Sequence, residues 1–545
     1  MIHRLKNWAV QNPFIILFIF SLCTRLLGLF FGMPSVTNDE ADIYTSSYIF
    51  GQTLRDFHGN WWFLTTGILT AKPSVPVFIG AIPWLFTSGK SVILARLPFV
   101  ILNSLSPVIF YYLIRSLTKK TALPFLSFLV MNFAPWYSYA SSTGYEAMVA
   151  LFFILSFFLV TVSRLHTYKK MAFALFTSLC AFNSYMGMKP VFPFVLFVGV
   201  FFFLNGHKSK LSRKLIFYAT VLTFVIFAIF IAMNYFAPNS SLVKREYSLM
   251  LAYYEKPKIE GMVWFERWTS SGPDKLITLL SNKYTIRLRD HVSKYFLSFN
   301  PELFFRKGDP SSLYGTADLS GLFFVTDFIF FILGLYYIAS IKERGLKMLL
   351  LLFFFGGLPV ALSNTAPTFI LRGIILLIPY SVVIAYGMYQ IIQKRKKFVL
   401  LIGLLVLLNY SLYFTVYKVR IFNLNGEQWK YTIKIISEVV ADRLEKYSSL
   451  TIYNPEAQET FLQYAFYEIN DPYIIIDRMK NKNFTYRNLV ITDGCPKHAP
   501  KYSELIVFNK ENCGIPSKDT ELLRSIEPLD RSGKDYYIVT GRQKD

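Results

Sequence analysis

The sequence has no Gly-rich phosphate loop and no nucleotide-binding fingerprint, so the usual local means of holding a nucleotide is missing. It shows no internal repeat, which removes the symmetry expected of a transporter. No small-residue cleavage site follows the first apolar run, Phe14–Phe31, which is interrupted only by Arg25. That start reads as a retained signal-anchor helix and excludes a removed signal peptide. Cysteine is scarce. Cys23 and Cys180 fall in apolar spans, where a buried structural thiol is expected, whereas Cys495 and Cys513 share the polar C-terminal stretch. Acidic residues are few as well, 34 against 57 Lys and Arg, for a formal charge of +23. An excess of that size is compatible with nucleic-acid binding. Here, however, the cations sit in short clusters between apolar runs, which reads as membrane topology.

What the chain does have is apolar length. Its 545 residues are 53% hydrophobic and include 54 Phe, more apolar than a soluble domain of this size needs. The expected fold class is therefore a polytopic α-helical membrane protein. Basic clusters at Arg4/Lys6, Arg115/Lys119/Lys120, Arg164/Lys169/Lys170, Lys208/Lys210/Arg213/Lys214, Lys342/Arg344/Lys347 and Lys394–Lys397 mark one face. Between them, spans are expected near 13–32, 91–114, 121–138, 146–163, 171–187, 190–205, 214–236, 321–341, 348–364, 369–391 and 398–417, about eleven in all. This puts the N-terminus in the cytoplasm and the C-terminus outside, across the plasma membrane. Val75–Thr87 is apolar but too short to cross, with Pro76 and Pro83 inside it, so it reads as an interfacial or re-entrant helix on the outer face.

The reading divides the chain into a transmembrane domain, 1–417, with outer loops 33–90 and 237–320, and a soluble extracytoplasmic α/β domain, 418–545. Within the second loop, Asp274–Phe299 reads as a partly amphipathic surface helix, and the run from Phe304 to Ser312 as a turn. After Lys418 the pattern predicts strands at Leu450–Tyr453, Tyr473–Ile476, Leu489–Thr492, Leu505–Phe508 and Tyr536–Thr540, and helices at Gln428–Lys446 and Glu456–Ile469. Such alternation favours a small α/β domain.

The chemistry-bearing residues gather on the outer face: Asp39 and Glu40 after the first span, Lys72 before Pro73, Arg96, Glu146, Lys189 and Arg372. Carboxylates beside several cations are the equipment for deprotonating an acceptor while an anionic leaving group is held. Each residue also has a plainer reading. Asp39 and Glu40 could belong to a solvated loop, Arg96 and Lys189 could snorkel, and Glu146 could complement a helix dipole. Arg372 runs against the positive-inside trend, which favours a bound anion.

Taken together, Asp39-Glu40, Ala71-Lys-Pro-Ser, Ala95-Arg-Leu-Pro, Ser141-Ser-Thr-Gly-Tyr-Glu146, Gly187-Met-Lys-Pro and Leu371-Arg-Gly-Ile-Ile-Leu-Leu-Ile-Pro resemble the GT-C glycosyltransferases. The bacterial branch related to protein O-mannosyltransferases and aminoarabinose-to-lipid A transferases is the nearest group. Tyr295-Phe-Leu-Ser-Phe-Asn-Pro-Glu-Leu-Phe-Phe-Arg-Lys-Gly-Asp is similar to a stretch of that branch, and the resemblance spans roughly 13–420.

The resemblance implies transfer of a sugar from a polyprenyl-phosphate donor to a protein, glycolipid or cell-envelope glycan, outside the cytoplasm and with inversion. By analogy Asp39 is the base and Glu146 a second acidic residue, with Glu40 adjacent and less directly involved. Lys72 and Arg372 are cations near the donor phosphate, and Arg96 and Lys189 are further cations of that set. Two departures are visible: Ala71 stands where the aminoarabinose transferases carry an acidic residue, which leaves a divalent metal unsupported, and Glu146 stands where the mannosyltransferases offer Asp. The alternatives are a transporter or flippase for a lipid-linked saccharide, or an envelope assembly protein. In either reading the partners are membrane lipids and not nucleic acid. Cys495 and Cys513, in a domain placed outside, are expected to pair.

Overall fold

A computed structural model of the chain describes residues 12–32, 34–60, 67–70, 72–205, 221, 223–229, 232–233, 236, 256–309, 320–363, 371–426, 429–509, 513, 520–526 and 536–541. The basic clusters near residues 4 and 210, most of the expected span 214–236 and the expected turn 365–368 lie outside them. Five described helices are long and apolar enough to cross a membrane: Pro13–Phe31, Val92–Leu117, Arg344–Ala361, Ile374–Lys394 and Phe398–Arg420. A sixth arises if Pro135–Ser141 and Glu146–Val162, bent by 111° at their junction, count as one broken span. Ser74–Leu85, Ala122–Phe133, Phe192–Leu204 and Val325–Ser340 are apolar but shorter.

The chain divides into two compact units. The first comprises residues 1–25, 101–141 and 145–414, and is a helical bundle in which Val325–Tyr336 packs on Leu377–Lys394 and Glu146–Val162 on Thr167–Phe182. Two glycines bring the first pair into backbone contact. A side chain at Gly334 would meet the Val383 carbonyl, and one at Gly387 the Phe330 carbonyl. Small residues at such crossings are the usual means of close helix approach in membranes. The charge in the first span is accommodated inward: Arg25 is fully buried, lies over the Tyr137 ring and donates to the Asn132 carbonyl and, at 2.9 Å, to its side-chain oxygen.

The second unit comprises residues 26–100, 142–144 and 415–545. Its sheet has strands β1 Ser449–Tyr453, β2 Thr485–Tyr486, β3 Leu489–Thr492, β4 Glu504–Asn509, β5 Thr520–Ile526 and β6 Tyr536–Gly541, in the order β2-β3-β1-β4-β6-β5. β1 runs parallel to β3 and β4, while the remaining pairs are antiparallel. Cys495 and Cys513 form a disulfide against the Ile506, Phe508 and Val539 core. Helices Tyr431–Ala441 and Ala457–Glu468 pack together, and the latter also packs on Asn38–Thr53.

Several local expectations change. The expected strand Tyr473–Ile476 is part of a helix, Pro472–Lys480. Its start explains why: the Asp471 carboxylate accepts the N–H groups of Tyr473 and Ile474 at 2.8 and 3.4 Å, and Pro472 occupies the first turn, where a missing N–H costs nothing. β5 escaped the sequence pattern because its residues are exposed from Glu521 to Ser525. The expected span 121–138 ends at Ala134, since a residue before proline is driven out of helical ψ. The expected helix Asp274–Phe299 is two, Asp274–Leu280 and Lys283–Leu297, the second capped by Asn282. Leu303–Lys307, which overlaps the start of the turn expected from Phe304 to Ser312, forms a π-helical turn closed by Gly308 at φ 72°. Cys23 is exposed and Cys180 half-buried, so neither is a fully buried thiol.

Candidate functional site

Helix Asn38–Thr53 opens with a capping box in which the Thr37 hydroxyl accepts the Glu40 N–H while the Glu40 carboxylate accepts the Thr37 N–H. Asp39 and Glu40 are therefore in the first turn, where negative charge meets the positive end of the helix dipole. Being adjacent, they point in different directions, and their environments differ completely.

Asp39 is 53% exposed, and its Oδ1 accepts from the buried Lys72 Nζ at 2.7 Å. Lys72 is brought there by Asp42, one turn along the helix from Asp39. The fully buried Asp42 carboxylate accepts the backbone N–H groups of Ile68, Leu69 and Thr70 at 2.7, 3.3 and 3.1 Å, and the Thr70 hydroxyl at 3.1 Å. Burial pushes the Asp42 carboxyl above its ordinary value, opposed by Lys72 and those three amides. Asp42 was not singled out in the sequence. The available signal was its spacing of three from Asp39, which puts both on one helix face.

Glu40 has no exposure. Its Oε1 accepts from Arg96 Nε at 3.0 Å, the Tyr44 hydroxyl at 2.7 Å and the Gly144 N–H at 3.2 Å, and its Oε2 from Arg96 Nη2 at 2.7 Å. Arg96 Nη2 also donates to the Ser35 carbonyl at 2.8 Å, and its guanidinium lies over the Trp429 ring. The two-pronged geometry is the one that Arg offers to a carboxylate and Lys cannot. Arg96 is thus a buried ion-pair partner and not a snorkelling cation. Gly144 is required by closeness, because a Cβ there would stand 2.4 Å from the Tyr44 hydroxyl oxygen.

The remaining sequence-selected residues belong to the other unit. Glu146 is the first residue of Glu146–Val162, half-buried, in the position that a helix dipole favours. Lys189 follows the short turn Met186–Met188, its ammonium 5.1 Å from the Phe182 ring and lowered by burial to about 8. Arg372 lies in a turn ahead of the helical residues Ile374–Lys394, not three residues inside a span. The structure thus brings together Asp39 with Lys72, and Glu40 with Arg96. Among the described residues, no group of three or more His, Cys, Asp or Glu could hold a metal ion.

The oligosaccharyltransferase of Archaeoglobus fulgidus, in a crystal structure tethered to an acceptor peptide, matches over 85% of this chain and 64% of its own length, with TM-score 0.50 and 14% identity. The fold is that of a GT-C glycosyltransferase. This chain spans under two thirds of that relative. The GT-C neighbours also include the aminoarabinose transferase ArnT from Cupriavidus metallidurans bound to undecaprenyl phosphate, at 11% identity and TM-score 0.37 over 98% of this chain and 100% of that one. A third is a protein O-mannosyltransferase complex of S. cerevisiae bound to its sugar donor, at 17% identity and TM-score 0.31 over 42% and 34%. No protein-family profile and no curated protein matches the sequence. As a GT-C fold with several apolar helices, the chain is a multi-pass membrane protein.

Proposed function

We propose that the protein is an integral-membrane glycosyltransferase that moves a sugar from a polyprenyl-phosphate carrier to a protein, glycolipid or envelope-glycan acceptor. The Asp39–Lys72 pair on a GT-C fold carries this reading. The exposed Asp39 carboxylate takes the acceptor proton as the acceptor atom bonds to the sugar's anomeric carbon. The bond from that carbon to the phosphate oxygen breaks, the configuration inverts, and polyprenyl phosphate leaves. Lys72, whose ammonium holds Asp39 at 2.7 Å, is on this reading a cation near the donor phosphate. On their sequence context, Arg372 and Lys189 are further cations for that phosphate, and Glu146 is a second acidic residue of the chemistry. Glu40 and Arg96, each engaged by the other, position the helix that carries Asp39.

The reaction takes place outside the cytoplasm, with residues 1–417 as the membrane domain, 418–545 as an outer domain, and the plasma membrane as the location. The test is release of polyprenyl phosphate from a panel of synthetic polyprenyl-phosphate sugars by the purified protein, with Asp39→Asn as control. Release that is unchanged in Asp39→Asn would overturn the assignment of the base. A reporter after Asp545 should be reached from outside, and cysteines at 118–121 and 394–397 protected. The opposite labelling pattern would refute the topology.

A further inference from the structure

Residues 459, 463 and 467 are four apart, a spacing that lines them along one face of a helix. In this protein all three are polar, and all three bond the short stretch of chain leading into the Asp39 helix. Gln463 Nε2 donates to the Val36 carbonyl at 3.2 Å and to Asn38 Oδ1 at 3.1 Å. The Tyr467 hydroxyl accepts the Val36 N–H at 3.1 Å, and Asn38 Nδ2 donates to Glu459 Oε2. The far end of helix Ala457–Glu468 is tied down separately. Lys90 Nζ donates to the Ala465 carbonyl at 2.6 Å and to that of Ile469, and the Tyr48 hydroxyl donates to the Asn470 carbonyl. Residues 36–38 are thereby fixed by side chains more than 400 positions away in sequence. Asp39 follows directly.

We infer that Glu459, Gln463 and Tyr467 are positioning residues for the base, so that the C-terminal domain completes the catalytic apparatus and does more than cover it. This inference rests on the reading of Asp39 given above. Glu459 also feels Asp39 electrostatically. Burial is the main influence raising its carboxyl, Glu456 and Asp39 add to the rise, and Lys430 opposes it. The influence is mutual, since a negative charge beside a carboxylate disfavours ionisation of either partner.

The test uses the full chain in lipid nanodiscs, with the variants Gln463→Ala, Tyr467→Phe and Glu459→Gln. Hydrogen exchange of amides 34–42 should rise by about tenfold or more in Gln463→Ala, while exchange in β1, β4 and β6 stays at the wild-type rate. In the donor panel, kcat should fall by at least about tenfold with the affinity for polyprenyl phosphate unchanged. Glu459→Gln should move the acid limb of the rate profile to lower pH, because the neighbouring negative charge is gone. Wild-type exchange at 34–42 in Gln463→Ala, or an increase that extends equally through the sheet, would overturn the inference. If Asp39→Asn retains full turnover, the assignment of the base fails instead. If Asp39→Asn is inactive and Gln463→Ala is not, only the positioning role fails.

Discussion

Helix Asn38–Thr53 and the helices between residues 256 and 297 belong to different units and obey opposite rules. The first buries Glu40, Asp42, Thr45, Ser46 and Ser47, polar residues that usually face water. The second group leaves Trp264, Phe265, Trp268, Leu276, Leu279, Leu288, Val292 and Phe296 exposed. In the first case the two carboxylates are inside because partners meet them, Arg96 at Glu40 and three backbone amides at Asp42. In the second, an apolar stripe at helical spacing on short, charged helices suits a lipid interface.

The largest effect expected is catalytic and falls on the one exposed carboxylate of the buried helix. Asp39→Asn should reduce turnover by about 10²–10⁴-fold, the range for a positioned general base, while melting temperature and donor affinity stay near wild type. Its neighbour should show the reverse. Arg96→Met leaves the Glu40 charge buried and unpaired, which costs about 3–5 kcal/mol. The check is chemical denaturation in detergent, and a loss below about 1 kcal/mol would break the contrast drawn between Asp39 and Glu40. Gly144→Ala forces a methyl group into Tyr44 and should cost about 1–3 kcal/mol as overpacking does, measured as a lowered denaturation midpoint.

The order of these effects was partly legible in the sequence. Asp39, Glu40 and Lys72 could be picked out from local pattern, because a charge next to an apolar span is conspicuous. The separate fates of Asp39 and Glu40 could not, because both carboxylates look alike until Arg96, 56 positions on, closes over one of them. Asp42 was obscured for the same reason, its partners lying 26 to 28 positions away.

A smaller effect concerns pH. Burial lowers the Lys90 ammonium to about 7, opposed by Glu468. Between about 7 and the ordinary lysine value near 10.4, the unfolded chain therefore holds more protons than the folded one, and stability rises with pH across that window. Below about 7 the ammonium is charged in both states and the dependence disappears. Lys90→Met should flatten the rise, read from denaturation midpoints between about pH 7 and 9. The smallest effect belongs to the other region: Leu288→Ala, at an exposed site, should change stability in detergent by no more than about 0.5 kcal/mol. Bromine carried on lipid chains should nevertheless quench Trp264 and Trp268 in nanodiscs, and emission indifferent to the quencher would remove the lipid from that side of the comparison.

The sequence by itself determined what depends on near neighbours: the apolar helices, most strands of the α/β sheet, the Cys495–Cys513 pair and the order of polar groups between spans. The helices and strands follow from composition and periodicity over a few residues, and the cysteine pair was expected from the setting assigned to its domain. Where local signals competed, as when Asp471-Pro472 turned the apolar run Tyr473–Ile476 from strand to helix, the stronger capping chemistry prevailed. Only the tertiary structure decided which charges are enclosed and which are presented, because burial depends on what long-range packing brings to a side chain. Glu40 is enclosed and Asp39 is not, and the chain before Asp39 is held by Glu459, Gln463 and Tyr467, because distant segments converge there and exclude water from one carboxylate while leaving its neighbour open.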